Sequence, residues 1–234
     1  MSKYCLVVNG RSYYCPFDHL GLELTSDTSL LVSDPDSVGL VVFTGGEDVS
    51  PHLYGHKNVA SYNSKDRDAS EVAVFYNAYL NQIPMAGICR GAQFLCVMAG
   101  GHLVQDISNH GNNHYLRYVD RDGVEKTSPE KVTSTHHQMQ YPWPIGEDKF
   151  EVLAWSSSAI SNYYLYDGVR IPTTVALKEL TMEPDVIFYK NINALVMQYH
   201  PEWMPRNSWG FKYAQNMVTE KLGHLIDNRI TASA

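Results

Sequence analysis

The chain is short of cysteine, of basic charge and of long apolar runs, and each shortage closes off a class of function. Four cysteines in 234 residues, without paired spacing, do not make the disulfide framework of a small secreted scaffold. The expectation is a reducing, cytoplasmic setting, in which a particular thiol is kept for its reactivity. Lysine and arginine total 18 against 25 aspartates and glutamates, a formal net charge of −7. Without a basic footprint, nucleic acid and anionic membrane are poor candidates for the main partner. The opening MSKYCLVVNG carries too short an apolar run for a signal peptide, and no segment approaches the roughly 20 apolar residues of a membrane span. Internal repeats, low-complexity tracts and Pro/Gly-rich linkers are missing as well, so residues 1–234 read as one domain.

Apolar residues at 44% and charged residues at 18% supply enough material for a full core. Short β runs alternate with helical ones, which predicts a parallel or mixed sheet covered by helices. Strands are expected at Tyr4–Val8, Leu40–Phe43, Met85–Ile88, Phe150–Ala154, Thr174–Leu177, Val186–Tyr189 and Ala194–Gln198. Several are continuous apolar runs, the pattern of strands buried on both faces. A helix is expected over Asp68–Leu80, with Asp68 and Glu71 as a capping signal and Val72, Tyr76, Tyr79 and Leu80 on the apolar face. A second helix follows Cys89 and ends at Gly100-Gly101, and a third runs over Ser208–Leu225. The charge cluster KDRD at Lys65–Asp68 alternates in sign and reads as a solvated loop leading into a helix. Between Gly100 and Pro144 the pattern is one of loops with short strands.

The segment MAGICRGAQFL reads as strand, sharp turn, helix. A nucleophile at such a turn stands exposed above the end of a sheet, in a backbone so tight that its neighbours must be small. Gly87 and Gly91 flank Cys89 at two residues on either side. The helix that opens behind Cys89 offers free N–H groups and a partial positive charge, both of which favour thiolate. The competing reading is a buried, inert thiol at a Gly-bounded junction. Cys96 and Cys5 read as core, and Cys15 is undetermined. Downstream, ALVMQYHPEW runs a buried strand into His200-Pro201-Glu202. In a parallel sheet this strand would end at the same carboxyl edge as the Cys89 turn, with Glu202 close enough to orient the imidazole. A third strand delivers Gly45-Gly46. Acyl transfer needs donors aimed at a developing oxyanion, and the backbone N–H groups of Gly46 and Arg90 would fill that need.

Six segments in order, GGEDVSPHLYG (45–55), RDASE (67–71), GICRGAQ (87–93), GGHLVQDI (100–107), STHHQ (134–138) and QYHPEW (198–203), cover most of the chain. Together they resemble the class I, triad-type glutamine amidotransferases, nearest the γ-glutamyl hydrolase branch classed as C26 peptidases. That resemblance implies a flavodoxin-like α/β three-layer sandwich with a central, mostly parallel sheet. It implies Cys89 as nucleophile, His200 as general base and acid, Glu202 as the residue orienting it, and the Gly46 and Arg90 amides as the oxyanion hole. Gln93 and His137 match positions near the glutamyl moiety. The implied substrate is a small γ-glutamyl amide, with no cofactor and no metal.

Three departures from the family pattern stand out: a compressed stretch from Asn9 to Leu40, Phe-Thr-Gly-Gly in place of Pro-Gly-Gly, and the tyrosine-rich SNYYLYDG at 161–168. The last is either a half-exposed hairpin or an aromatic lip selecting the leaving amine. Two alternatives fit the same residues: a glutaminase passing ammonia to a separate synthetase or ligase chain, and a non-catalytic binding module of the same fold. A metal site from His102, His110, His114, His136 and His137 is the last alternative. Its His110-x-x-x-His114 spacing lies in a Gly/Asn-rich segment ill suited to a helix. Oligomeric state and leaving amine are not fixed by the residues.

Overall fold

The computed structural model of the chain describes residues 4–10, 15–157, 160–175 and 182–232. The first half runs β1 (Tyr4–Val8), β2 (Glu23–Thr25), α1 (Leu30–Ser33), β3 (Val38–Phe43), α2 (Lys65–Leu80), β4 (Met85–Ile88) and α3 (Arg90–Met98). Five short strands follow: β5 (His102–Val104), β6 (Asp106–Ile107), β7 (Leu116–Val119), β8 (Glu125–Thr127) and β9 (Met139–Tyr141). The chain then forms β10 (Phe150–Ser156), β11 (Tyr163–Tyr166), β12 (Val169–Pro172), β13 (Pro184–Tyr189), β14 (Ala194–Met197) and α4 (Trp209–Ala232).

The central sheet has the order β2-β1-β3-β4-β14-β13-β10-β7-β8 among the described residues. Its first five strands are parallel, and the pairings from β14 outward through β13, β10, β7 and β8 are antiparallel. All six residues of β3 are buried, as the unbroken apolar run requires of a strand covered on both sides. Alternation divides them. Val41 and Phe43 join Val74, Phe75, Phe94 and Leu95 of α2 and α3. Leu40 and Val42 join Phe211, Ala214, Val218 and Leu222 of α4. Each such buried Val, Leu or Phe contributes about 1.5–3 kcal/mol of transfer free energy. The result is the flavodoxin-like three-layer sandwich, with the sheet between α2–α3 and α4.

The register of β14 against β4 pairs Met197 with Ile88, so the two strands end level. The Cys89 amide extends the ladder by donating to Met197 O at 2.8 Å. The carboxyl edge therefore delivers Cys89 and His200 side by side.

Several expectations are corrected. Helix α2 starts at Lys65, and its N-cap is Ser64, whose hydroxyl accepts from the Arg67 amide. Asp68 and Glu71 are not a cap: they lie inside the protein, 1% and 0% exposed. KDRD is therefore the first turn of the helix, not a solvated loop. The buried face of α2 is Asp68, Glu71, Val74, Phe75 and Ala78, while Tyr76, Tyr79 and Leu80 are exposed. Hydrophobic periodicity chose the wrong stripe because two charged residues occupy the inner one. The strand expected at Thr174–Leu177 is a single 3-10 turn over Thr173–Val175, and 176–177 lie outside the described residues. The tyrosine-rich segment forms the β11–β12 hairpin, which pairs onto β6. Helix α4 runs on past Leu225 to Ala232, since nothing in DNRI breaks it, and Arg229 donates to the carbonyls of Pro35, Val38 and Asn81.

Candidate active site

Cys89 sits between β4 and α3 at φ 52°, ψ −107°, a left-handed conformation unusual for a non-glycine residue. Such strain persists only where the surroundings over-determine it, and it turns the side chain away from both strand and helix. Gly91 permits the turn: a Cβ there would overlap the carbonyl of Phe43, so the first turn of α3 lies directly on β3. Cys89 retains 8% of its surface, whereas Cys96, one helix face away, retains none. Cys5 and Cys15 are also core, their sulfurs 3.9 Å apart.

The His200 imidazole lies beside Cys89, both packed against Gly45, and bonds through Nδ1 at 2.7 Å to Glu202 Oε1. Burial opposes its positive charge, but the neighbouring Cys89 and Glu202 outweigh burial and raise its pKa to about 9. Thr133 fixes the backbone beneath it, accepting from the His200 amide at 3.1 Å and donating to its carbonyl at 2.8 Å. The Trp203 indole lies flat on the imidazole, ring centroids 3.7 Å apart and planes within 2°. An indole face attracts a cation, so this stack also favours the protonated ring.

Gly45 lies against both partners. A Cβ built on it would stand 3.0 Å from His200 Cε1 and 3.7 Å from Cys89 Cβ. Gly46, at φ 144°, faces the other way, and a Cβ there would overlap the Arg67 guanidinium. Behind these glycines lies a buried ionic frame. Arg90 NH2 donates to Asp68 Oδ1 at 2.6 Å, and its NH1 pairs with Glu71 Oε2. Glu71 Oε1 accepts from Arg67 Nε at 2.9 Å and from Asn9 at 2.8 Å. Burial, then the charge of Arg67, pulls Arg90 down to about 10, with Asp68 and Glu47 opposing.

Gln93 stands one turn along α3 with its amide turned inward, donating to Gln138 O at 3.0 Å and Gln198 Oε1 at 3.3 Å. It ties the helix to the segment that carries His137. The His137 side chain is 39% exposed, with Nε2 2.9 Å from Asp48 Oδ2 and Nδ1 3.4 Å from Asp106 Oδ1. The Asp48 hydrogen bond raises its pKa, with burial opposing. Tyr163 of the hairpin donates to Asp106 Oδ2 at 2.6 Å, so the tyrosine segment connects to His137 through Asp106.

The structure thus brings Cys89, His200, Glu202, Gly45-Gly46 and Arg90 together, with Gln93 in the adjoining turn. Sequence reasoning missed Arg67, Thr133, Trp203, Asp48 and Asp106. Trp203 was visible in QYHPEW and Asp48 in GGEDVSP, but only the folded chain shows what they touch. The histidines proposed as metal ligands are engaged otherwise. His110 pairs with Glu183 at 3.0 Å and with His136 at 3.2 Å, and His114 pairs with Asp185 at 2.7 Å. Among the described residues no group of three or more His, Cys, Asp or Glu side chains is arranged to hold a metal ion. No helix among them is long and apolar enough to cross a membrane.

Fold and site together define a class I glutamine amidotransferase-like domain. A structure from Thermoplasma acidophilum, described as one of the subunits of a GMP synthase, superposes with a TM-score of 0.59 at 15% identity, over 100% of this chain and 99% of that one. The chain belongs to the peptidase C26 family, whose model matches residues 22–202. It is 29% identical over 169 residues to a protein of Lactococcus lactis subsp. lactis described as glutamine amidotransferase-like, covering 70% of this chain and 66% of the relative. It is 24% identical over 178 residues to the γ-glutamyl-γ-aminobutyrate hydrolase of Shigella flexneri, covering 72% and 65%. The chain spans just under two thirds of the length of these two relatives.

Proposed function

We propose that this chain hydrolyses γ-glutamyl amide bonds through a γ-glutamyl thioester on Cys89. The observation that supports it most is the strained Cys89 elbow set beside His200, whose imidazole Glu202 holds through Nδ1 at 2.7 Å. With the thiol proton passed to His200 to give a thiolate–imidazolium ion pair, the Cys89 sulfur attacks the side-chain amide carbon, forming a C–S bond and leaving negative charge on the carbonyl oxygen. Backbone N–H groups of Gly46 and Arg90 stabilise that oxyanion. Loss of one such donor costs about 3–4 kcal/mol. As the intermediate collapses the C–N bond breaks, and His200 gives its proton to the departing amine. Neutral His200 then takes a proton from water, and the resulting hydroxide attacks the thioester. The C–S bond breaks, glutamate leaves and the ion pair re-forms. Glu202 keeps the imidazole in the tautomer and orientation that both steps need. Gln93 and His137 flank the glutamyl moiety.

The second reading is a glutaminase supplying ammonia to a separate synthetase or ligase chain, favoured by the glutamine amidotransferase-like relative. A panel of γ-glutamyl amides, glutamine included, is assayed for released glutamate, with intact mass recorded during turnover. The hydrolase reading expects turnover of a non-glutamine amide by the chain alone and one γ-glutamyl adduct on Cys89. Cys89→Ala turning over at the wild-type rate would end it. Glutamine hydrolysis that rises only with a partner protein would select the second reading. A correctly folded chain with neither activity nor adduct would make it a binding module.

A further inference from the structure

Two residues of the helix opening, Arg67 and Glu71, take no part in the steps above, yet Arg67 donates to the backbone beside the proposed Gly46 donor and Glu71 pairs with the side chain of Arg90, whose backbone supplies the other. Arg67 is 14% exposed and fully engaged: Nε on Glu71, NH1 on Glu47 Oε2 at 2.6 Å, NH2 on Gly45 O at 2.9 Å and Thr44 O at 3.3 Å. The peptide between Gly45 and Gly46 is trans, so its C=O and N–H point in opposite directions. With the Gly45 carbonyl held by Arg67, the Gly46 N–H must point away from Arg67. The Cα of Gly45, on that same stretch, faces Cys89 and His200. The loop is therefore held between a guanidinium on one side and the thiol–imidazole pair on the other.

We propose that Arg67 is a positioning residue that sets the direction of the Gly46 N–H, with Glu71 keeping Arg67 in register with Arg90. It rests on the reading of Gly46 and Arg90 as oxyanion donors. The planar guanidinium suits the task, since one side chain donates to two adjacent carbonyls and two carboxylates at once. A lysine ammonium in that place can serve only part of the set.

Acyl transfer builds an oxyanion, whereas alkylation of the sulfur by iodoacetamide displaces iodide and builds none. The two rates therefore separate donor orientation from an intact thiol. Wild type, Arg67→Ala and Arg67→Lys are compared for γ-glutamyl-p-nitroanilide hydrolysis and for alkylation of Cys89, located by peptide mass mapping. Because a lost donor typically costs about 10²–10³ in kcat, a misdirected one is expected to lower kcat about 10- to 100-fold in Arg67→Ala, with KM and alkylation within about three-fold. Arg67→Lys should fall between. A kcat within about three-fold of wild type overturns the proposal, and so does an alkylation rate that falls in step with kcat, which would mark Arg67 as merely structural. If Cys89→Ala keeps its activity, the thioester reading itself has failed, and that result is separate from either Arg67 outcome.

Discussion

Removing the Glu71 carboxylate should cost far more stability than deleting an exposed charge of the same network. Glu71 is fully buried and accepts from Arg67 Nε at 2.9 Å, from Asn9 at 2.8 Å and from Arg90 NH1. In Glu71→Ala, the 1%-exposed Arg90 keeps only Asp68 as a direct anionic partner, and nothing screens it from Arg67. Breaking a buried pair by deleting one partner costs about 3–5 kcal/mol, because the remaining charge has lost its water and its counter-charge. At about 2–4 °C per kcal/mol for a chain of this size, Tm should fall by about 6–20 °C. Glu47→Ala is the internal comparison. Glu47 binds the same Arg67 at 2.6 Å but is 55% exposed, so its loss should cost about 0–1 kcal/mol. Thermal unfolding followed by circular dichroism, with urea titration at 25 °C, measures both. A Glu71→Ala protein melting within about 2 °C of wild type, or no worse than Glu47→Ala, would refute the claim that burial makes this network costly to break.

The pH dependence of turnover follows from His200. Protonated up to about 9, it loses its transferable proton above that, so kcat/KM should fall on a high-pH limb near 9. Glu202 raises that value, so Glu202→Gln should move the limb downward; a limb that stays put would separate it from His200. The Trp203 stack supplies an independent readout. The fluorescence difference between wild type and Trp203→Phe should increase as pH rises through the same midpoint, since a protonated imidazole quenches an indole lying on it. A difference that does not vary with pH would show that His200 does not titrate there. Gly91→Ala places a methyl on the Phe43 carbonyl, so urea unfolding should register a loss of about 1–3 kcal/mol. A neutral result would mean that α3 stands farther from β3. Asp48→Asn removes the largest cause of the raised His137 pKa, and histidine NMR should show that residue titrating lower than in wild type.

What the residues settle by themselves is local. β1 and β4 stand where their apolar runs are, and Cys89 is strained because MAGICRGAQ leaves a strand no other route into a helix. His200 and Glu202 are two residues apart, so their pairing needs only the bend at Pro201. Gly87 and Gly91 announce the close packing that the turn requires. Of these only Gly91 reaches beyond its sequence neighbours, to the Phe43 carbonyl on β3.

The charged interior was decided by the tertiary structure. Nothing in KDRDASE distinguishes a solvated stripe from a buried one, because the cost of burying Asp68 and Glu71 is offset by a guanidinium 19 residues beyond Glu71. That offset inverted the expected face of α2 and left Tyr76 and Leu80 in water. The partners of His137, drawn from the Gly45 loop and from β6, and the opposed faces of Gly45 and Gly46 likewise exist only once separate strands share an edge. Hydrophobic period tells a helix which side is oily, but a charge becomes an interior group only when a distant counter-charge arrives to replace its water. That meeting is a property of the fold.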